Sequence, residues 1–328
     1  MNDPAPRSAA RTAVGVTGEL LITVGVLLAL FVVYQVWWTD IGSARAQAAA
    51  DDELEQAWDA GQDPRVANPR GRGGIDPHDD ALEDGTAFAR LYIPAFGSDY
   101  RFAVVSGTTD AALEIGPGHY TETQGPGEAG NFAVAGHRVG RGAPFNDLDA
   151  LRTCDALVYA TASEWLVYRV LPVDAPDAAT ARAQAEECLS PETAERVTTG
   201  TYEGLSGVSV VRPEDVWVID PVPGLSDPDV PEQLPLTTLT TCHPQYSASE
   251  RMVVHAVLDR TEPRVPGRVP AELEGGGVYA WLYRRLPGPT PVRILLVLIL
   301  LAAVFWLLME VVFPAIEPYM PYSDVAVS

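Results

Sequence analysis

The stretch from 236 to 258, LTTLTTCHPQYSASERMVVHAVL, constrains the fold more than any other part of this chain. Its opening, Leu236-Thr237-Thr238-Leu239-Thr240-Thr241, is β-branched and aliphatic, the composition of a buried strand. The run ends in Cys242, and His243-Pro244 breaks it, because proline cannot donate to a central ladder. A second strand begins near Arg251 and carries Met252, Val253, Val254 and Ala256 to Leu258. The order is strand, thiol, short loop, cation, strand. It places Cys242 and Arg251 near the mouths of two adjacent strands, where their side chains can converge.

Thr238-Leu239-Thr240-Thr241-Cys242, with an arginine nine positions on, resembles the TLxTC signature of sortases, the cysteine transpeptidases that attach proteins to Gram-positive cell walls. The continuation His243-Pro244-Gln245-Tyr246-Ser247-Ala248-Ser249-Glu250-Arg251 is most similar to class E sortases of actinobacteria. The resemblance covers roughly residues 87–260 and implies an all-β fold, a closed eight-stranded barrel. It implies no resident cofactor. Calcium dependence occurs in part of the family, and acidic loops are plentiful here, although nothing in the chain demands it.

The remaining strands agree with that fold class. Phe88 to Ile93 alternates and exits at Pro94; Tyr100 to Val105 and Asn131 to His137 follow. Further strands are expected at Ala156–Ala160, Trp165–Val170, Val208–Val211 and Val216–Ile219. Many short strands punctuated by Gly and Pro turns indicate a barrel or sandwich. Asp174 to about Gly207 departs from the pattern. Ala178–Cys188 and Pro191–Val197 have helical character, and the segment reads as an insertion, either a surface decoration or a wall of the substrate groove.

Both ends are apolar. Leu20 to Trp38 carries no charge and is long enough to cross a ~30 Å hydrocarbon core as a helix. Arg7 and Arg11 before it orient its N-terminus inside. A cleaved signal peptide is the alternative reading, but its apolar region is typically only ~7–15 residues long. Ile294 to Phe313 is the second expected span, with Glu310 snorkelling, although the charges flanking it run against the positive-inside pattern. A peripheral amphipathic helix is the alternative there. The expected organisation is therefore a cytoplasmic tail (1–19), a span (20–38) and an extracytoplasmic stalk (39–86). A catalytic barrel (87–262, insertion about 174–207), a linker (263–293), a second span (294–313) and a tail (314–328) follow. Within the stalk Ala44–Trp58 is expected as a short helix; the stalk as a whole is read as flexible, or else as folding back over the site, since it carries Trp58 and His78. The localisation this implies is the plasma membrane with the barrel outside. A net charge of −22 argues against nucleic acid as a partner, which would need a basic footprint.

There are three cysteines. A Cys154–Cys188 bridge would tether the insertion to the barrel and leave Cys242 as the free thiol; spacing alone cannot supply the geometry. No closely spaced Cys/His cluster suggests zinc. A thiol nucleophile needs an activating base or cation, and a leaving amine needs a general acid, usually histidine. Five histidines are available. His243 adjoins Cys242, where neighbouring side chains diverge in a strand. His119 lies in a Gly-Pro loop, His255 in the last strand and His78 in the stalk. His137 ends a strand behind Gly136. The resemblance assigns it the general acid–base role, and Arg251 the stabilisation of the oxyanion.

What the resemblance further implies is a two-step transfer. A C-terminal sorting signal on a secreted protein, LAxTG or LPxTG in type, is cleaved between Thr and Gly through a thioacyl enzyme. A peptidoglycan-precursor amine then takes the acyl group. Leu239, Thr241 and Tyr120 are expected to line the substrate groove. Two other readings use the same residues differently: a membrane-anchored cysteine hydrolase, and a non-catalytic extracytoplasmic binding module.

Overall fold

The computed structural model describes residues 21–28, 39–64, 82–225, 233–274 and 306. The chain divides into two units, Met1–Glu272 and Leu273–Ser328; of the second, only Leu273, Glu274 and Trp306 are described. Residues 21–28 are helical, while the rest of the first expected span, and all of the second but Trp306, lie outside the described residues. Among the described residues no helix is long and apolar enough to cross a membrane.

The first unit is a barrel. Its strands are β1 (Ala87–Tyr92), β2 (Arg101–Ser106), β3 (Gly118–His119), β4 (Gly130–Ala135), β5 (Ala156–Ala160), β6 (Glu164–Val170), β7 (Val208–Val211), β8 (Pro235–His243) and β9 (Glu250–Pro263). The order β6-β5-β1-β2-β3-β4-β8-β9 closes through a β6–β9 pairing, giving eight strands in the ring. β9 is long enough to serve two neighbours on one edge. Its residues 251–254 pair with β7, and 256–263 pair with β6. Closure leaves the ring without free edges. The interior is filled by alternate side chains such as Leu91, Phe132, Tyr159, Tyr168, Leu239 and Val254.

One pairing decides where the chemistry sits. β4 and β8 are parallel, from Gly130↔Pro235 to Ala135↔Thr240. A parallel pair cannot be joined by a tight turn, and here β5, β6, the insertion and β7 all intervene. The C-terminal ends of β4 and β8 therefore emerge side by side at one end of the barrel.

Three elements depart from the expectations drawn from sequence. Val216–Ile219 is a 3-10 turn rather than a strand, because a four-residue apolar run carries no periodicity to separate the two. Gly118–His119, read as loop, forms a short strand parallel to β2. The third departure is the segment read as a stalk. Its Thr39–Asp59 portion is a helix, α1, over the stretch where Ala44–Trp58 was expected to be helical, but it packs on the barrel instead of forming a flexible stalk. Ala50, Leu54 and Trp58, four apart, bury one face. The Gln47 side chain behaves like an extra strand residue, accepting from Ala103 N (2.5 Å) and donating to the carbonyls of Ala103 (3.3 Å) and Ile115 (2.7 Å). Buried Arg90 of β1 meets Asp51 (2.5 Å) and Glu55 (2.7 Å), and Trp58 lies within cation–π range of Arg90 and Arg264. Docking this polar left little apolar periodicity to read. His78 lies outside the described residues.

The insertion contributes α3 (Ala178–Ala185) and α4 (Pro191–Thr198), capped by Asp177 and Ser190; α2 (Asp110–Ile115) lies between β2 and β3. It builds a second apolar cluster, in which Ala185, Leu189, Val197 and Tyr202 pack with Leu236 of β8 and Val257 of β9. At ~3.3 Å per residue, Leu236 lies about 20 Å along the strand from Cys242. The insertion is thus anchored at the start of β8, far from the end that carries the thiol.

Candidate active site

Cys242 is the penultimate residue of β8, half-buried and not disulfide-bonded. Directly across the antiparallel ladder stands Arg251, at the beginning of β9. The strand pair expected around the Cys-His-Pro break thus places thiol and guanidinium as cross-strand neighbours, within reach of a common ligand. Arg251 spends only Nη1 on its own loop, donating to the carbonyls of Ala248 and Glu250, each at 3.0 Å.

His137 arrives from the other side. The constant offset in the β4–β8 register, carried two residues past Ala135, brings it abreast of Cys242. Two bonds extend the pairing beyond β4: Gly136 N donates to Thr240 O (3.0 Å), and Thr241 Oγ1 donates to Gly136 O (2.7 Å). A side chain could not replace Gly136, because a Cβ there would meet the Phe145 ring at 2.5 Å. The His137 Nε2 atom is buried without a hydrogen-bond partner among the described residues. Burial, with a smaller contribution from Arg141, lowers the pKa of the imidazole, while Asp110 and Glu114 pull it back up. The ring is neutral near pH 7 and can accept a proton.

Next to this pair lies an ion cluster that sequence reading passed over. The Arg138 guanidinium is 4 % exposed. Its Nη1 donates to His243 Nδ1 at 2.5 Å, and its Nη2 lies 3.2 Å from Asp149. From sequence, an arginine after a histidine reads as a surface cation, and no pattern marks Asp149 as its partner.

The groove-lining residues expected from sequence divide. The Tyr120 hydroxyl lies 3.0 Å from Thr240 Oγ1, and Thr240 shares a face of β8 with Cys242. Leu239 corrects the expectation: it is fully buried in the barrel core and lines no groove. Thr241 is buried as well, its hydroxyl occupied by Gly136. Both follow from period-two alternation, which points 239 and 241 away from the face of 242. His119 is structural, packed on Phe88 and Phe132 and bonded to Gln124 O and Thr123. His255 is fully enclosed in the sheet. Cys154 and Cys188 form the disulfide that joins the insertion to the turn before β5. Among the described residues no group of three or more His, Cys, Asp or Glu is arranged to hold a metal ion.

A closed eight-stranded barrel with a free thiol, an imidazole and an arginine gathered at one end defines a cysteine acyl-transfer class. The sortase-domain family model matches residues 91–259. Sortase SrtE1 of Streptomyces coelicolor is 31% identical over 259 residues, spanning 76% of this chain and 58% of its own. Sortase SrtE2 of the same organism is 32% identical over 271 residues, spanning 81% of this chain and 89% of its own. Among solved structures, the SrtF sortase from Corynebacterium diphtheriae is 51% identical with a TM-score of 0.57, covering 62% of this chain and 100% of that one. The chain spans little more than half the length of SrtE1, but most of SrtE2 and all of the SrtF structure. This chain belongs to the sortase family, whose members are cysteine transpeptidases. Within the family it is class E-like, as its likeness to SrtE1 and SrtE2 shows.

Proposed function

We propose that this chain cleaves a C-terminal sorting signal of the LAxTG or LPxTG type between Thr and Gly and transfers the carrier protein to a peptidoglycan-precursor amine. What supports the reading is that Cys242 pairs across the ladder with Arg251, and that the β4–β8 register, continued two residues beyond β4, runs to His137. Cys242 sulfur, as thiolate, attacks the Thr carbonyl carbon and forms the C–S bond of a tetrahedral intermediate. In this reading His137 holds the thiol's proton and returns it to the Gly nitrogen as the C–N bond breaks. Arg251, whose charge is permanent, stabilises the oxyanion with the donors its loop does not occupy. In the second step the acceptor amine attacks the thioester, a new C–N bond forms, and the sulfur leaves on Cys242. The clients are secreted proteins, and the barrel works outside the plasma membrane, held there by the apolar ends of the chain.

The test uses fluorogenic LAxTG and LPxTG peptides and mass spectrometry of Cys242, with and without added amine. A thioester on Cys242 that is absent from Cys242→Ala and passes to the amine supports transfer. Release to water alone, even with amine in excess, supports a hydrolase. No adduct from folded protein with a free thiol rejects catalysis. Arg251→Ala is expected to lower kcat about 10²–10³-fold, the loss typical of one oxyanion donor; a loss confined to KM would instead make Arg251 a ground-state binding residue.

A further inference from the structure

The His137–Cys242 pair is bracketed. On one side, Thr241 Oγ1 donates to Gly136 O at 2.7 Å; on the other, Arg138 Nη1 donates to His243 Nδ1 at 2.5 Å. The four residues of these bonds are the chain neighbours of His137 and Cys242. The bracket lies where the backbone ladder stops. β4 ends at Ala135, the last β4–β8 pair is Ala135↔Thr240, and Gly136 N to Thr240 O adds one more backbone bond. Beyond that point nothing in the sheet itself holds the segment with His137 beside the end of β8. Two side-chain bonds flank His137 there, and the loop that follows adds Phe145 N to His137 O (3.0 Å) and Gln245 Nε2 to Asn146 Oδ1 (2.6 Å).

The outer bond is the costlier one to build. Arg138 carries a permanent charge, yet its guanidinium is 4 % exposed and its Nε has no partner among the described residues. Burial of this kind is tolerated only when the charge is paired and bonded. Asp149, on the 3-10 turn Leu148–Ala150, supplies the countercharge at 3.2 Å. A guanidinium has only donors, so His243 Nδ1 must be the acceptor and the ring proton sits on Nε2. His243 therefore has a defined task that adjacency to the nucleophile did not suggest. It serves as the anchor for Arg138 on the far side of Cys242.

We propose that Arg138 and His243, with Asp149 behind them, are positioning residues that keep His137 and Cys242 in register for proton transfer. Neither needs to touch the substrate. Their removal loosens the catalytic pair rather than the binding site, so the loss falls on kcat. The inference rests on the transpeptidase reading, and its test is built to separate the two.

The full chain is assayed with the fluorogenic LAxTG peptide as Arg138→Met, His243→Leu, their double variant and His243→Asn, beside wild type and Cys242→Ala. The asparagine side-chain carbonyl oxygen stands near the position of Nδ1 and can accept from Arg138. Expected are kcat losses of about 10–10²-fold in R138M and H243L, with KM within about twofold, since misplacing reacting groups by an ångström can lose that much. The double variant is expected to be no slower than the worse single variant, and H243N to recover most of the kcat lost in H243L. Losses that multiply, an H243N as slow as H243L, or losses carried by KM overturn the proposal. If R138M does not fold, the comparison of H243L with H243N decides alone, because His243 is half-exposed and the two are read against each other. If wild type forms no thioester on Cys242 at all, the transpeptidase reading fails, and the proposal falls with it. A normal wild-type thioester with unimpaired variants removes the proposal only.

Discussion

Burial disfavours the charged form of His119, His137 and His255, so acidification should destabilise this barrel, and the structure gives the size of the His255 share. Thr238 Oγ1 donates its single hydrogen to Asn131 Oδ1 at 2.7 Å, so toward His255 Nδ1, 2.9 Å away, it can only accept. His255 is thereby the Nδ1–H tautomer, and its Nε2 is buried with no described partner. A proton added there would be an unpaired charge inside the sheet, and burial accordingly pushes the pKa from the ordinary 6.5 down to about 4. Because the folded value lies below the unfolded one, the unfolded chain takes up a proton in the window between them that the folded chain refuses. Stability from this group is complete above pH 6.5, is lost as pH falls toward 4, and levels off below that. At about 1.4 kcal/mol for each factor of ten in the proton equilibrium, the full effect approaches about 3 kcal/mol, and about 2 kcal/mol is already lost at pH 5. Urea unfolding followed by tryptophan fluorescence at pH 7.5 and pH 5 measures it, with His255→Asn as the comparison. The variant keeps a donor toward Thr238 and cannot titrate, and other titrating groups cancel in the difference. If wild type and H255N lose stability equally between the two pH values, within about 0.5 kcal/mol, the tautomer assignment and the burial argument are both wrong.

Two further predictions concern the elements packed on the barrel. Cys154 and Cys188 are 34 residues apart, and a closed loop of that length stabilises by about 4 kcal/mol on the chain-entropy account. Replacing both by serine should lower the unfolding free energy by about 2–4 kcal/mol while leaving thioester formation at Cys242 intact; loss of the adduct in a folded variant would show that the insertion reaches the site after all. Replacing both Asp51 and Glu55 by alanine strips buried Arg90 of its two partners on α1 and should cost about 3 kcal/mol, with much of it recovered when Arg90→Met is added. A loss below about 1 kcal/mol in the urea midpoint would show that α1 is not held by these ion pairs.

How far each feature could be read from sequence follows the range over which its cause acts. The strands around Leu236–Cys242 and Arg251–Leu258, the insertion helices and the isolated thiol all rest on neighbours a few residues away, and the structure has them where the residues put them. Val216–Ile219 failed because four apolar residues suit a turn as well as a strand; what selects the turn is distant, the amide of Asn131 donating to the carbonyls of Val218 and Asp220. Leu239 was misplaced by proximity to the thiol, when the alternation that buries it was already present in the strand. The helix over Ala44–Trp58 was legible, but its docking was not, because that depends on Gln47 finding the backbone of Ala103 and Asp51 finding Arg90, contacts that leave no periodic trace.

By itself the sequence determined the chemistry available: a thiol at a strand's end, a guanidinium nine residues on, a histidine behind a glycine, and enough alternating strands to close a ring. What only the tertiary structure decided is that the strands carrying these groups end side by side. The parallel register of β4 on β8 spans more than a hundred residues of chain and brings His137 abreast of Cys242. The same register sets Arg138 against His243, and the 3-10 turn Leu148–Ala150 brings Asp149 to the same guanidinium. Backbone pairing across such a distance is a property of the closed sheet, and no local pattern encodes it.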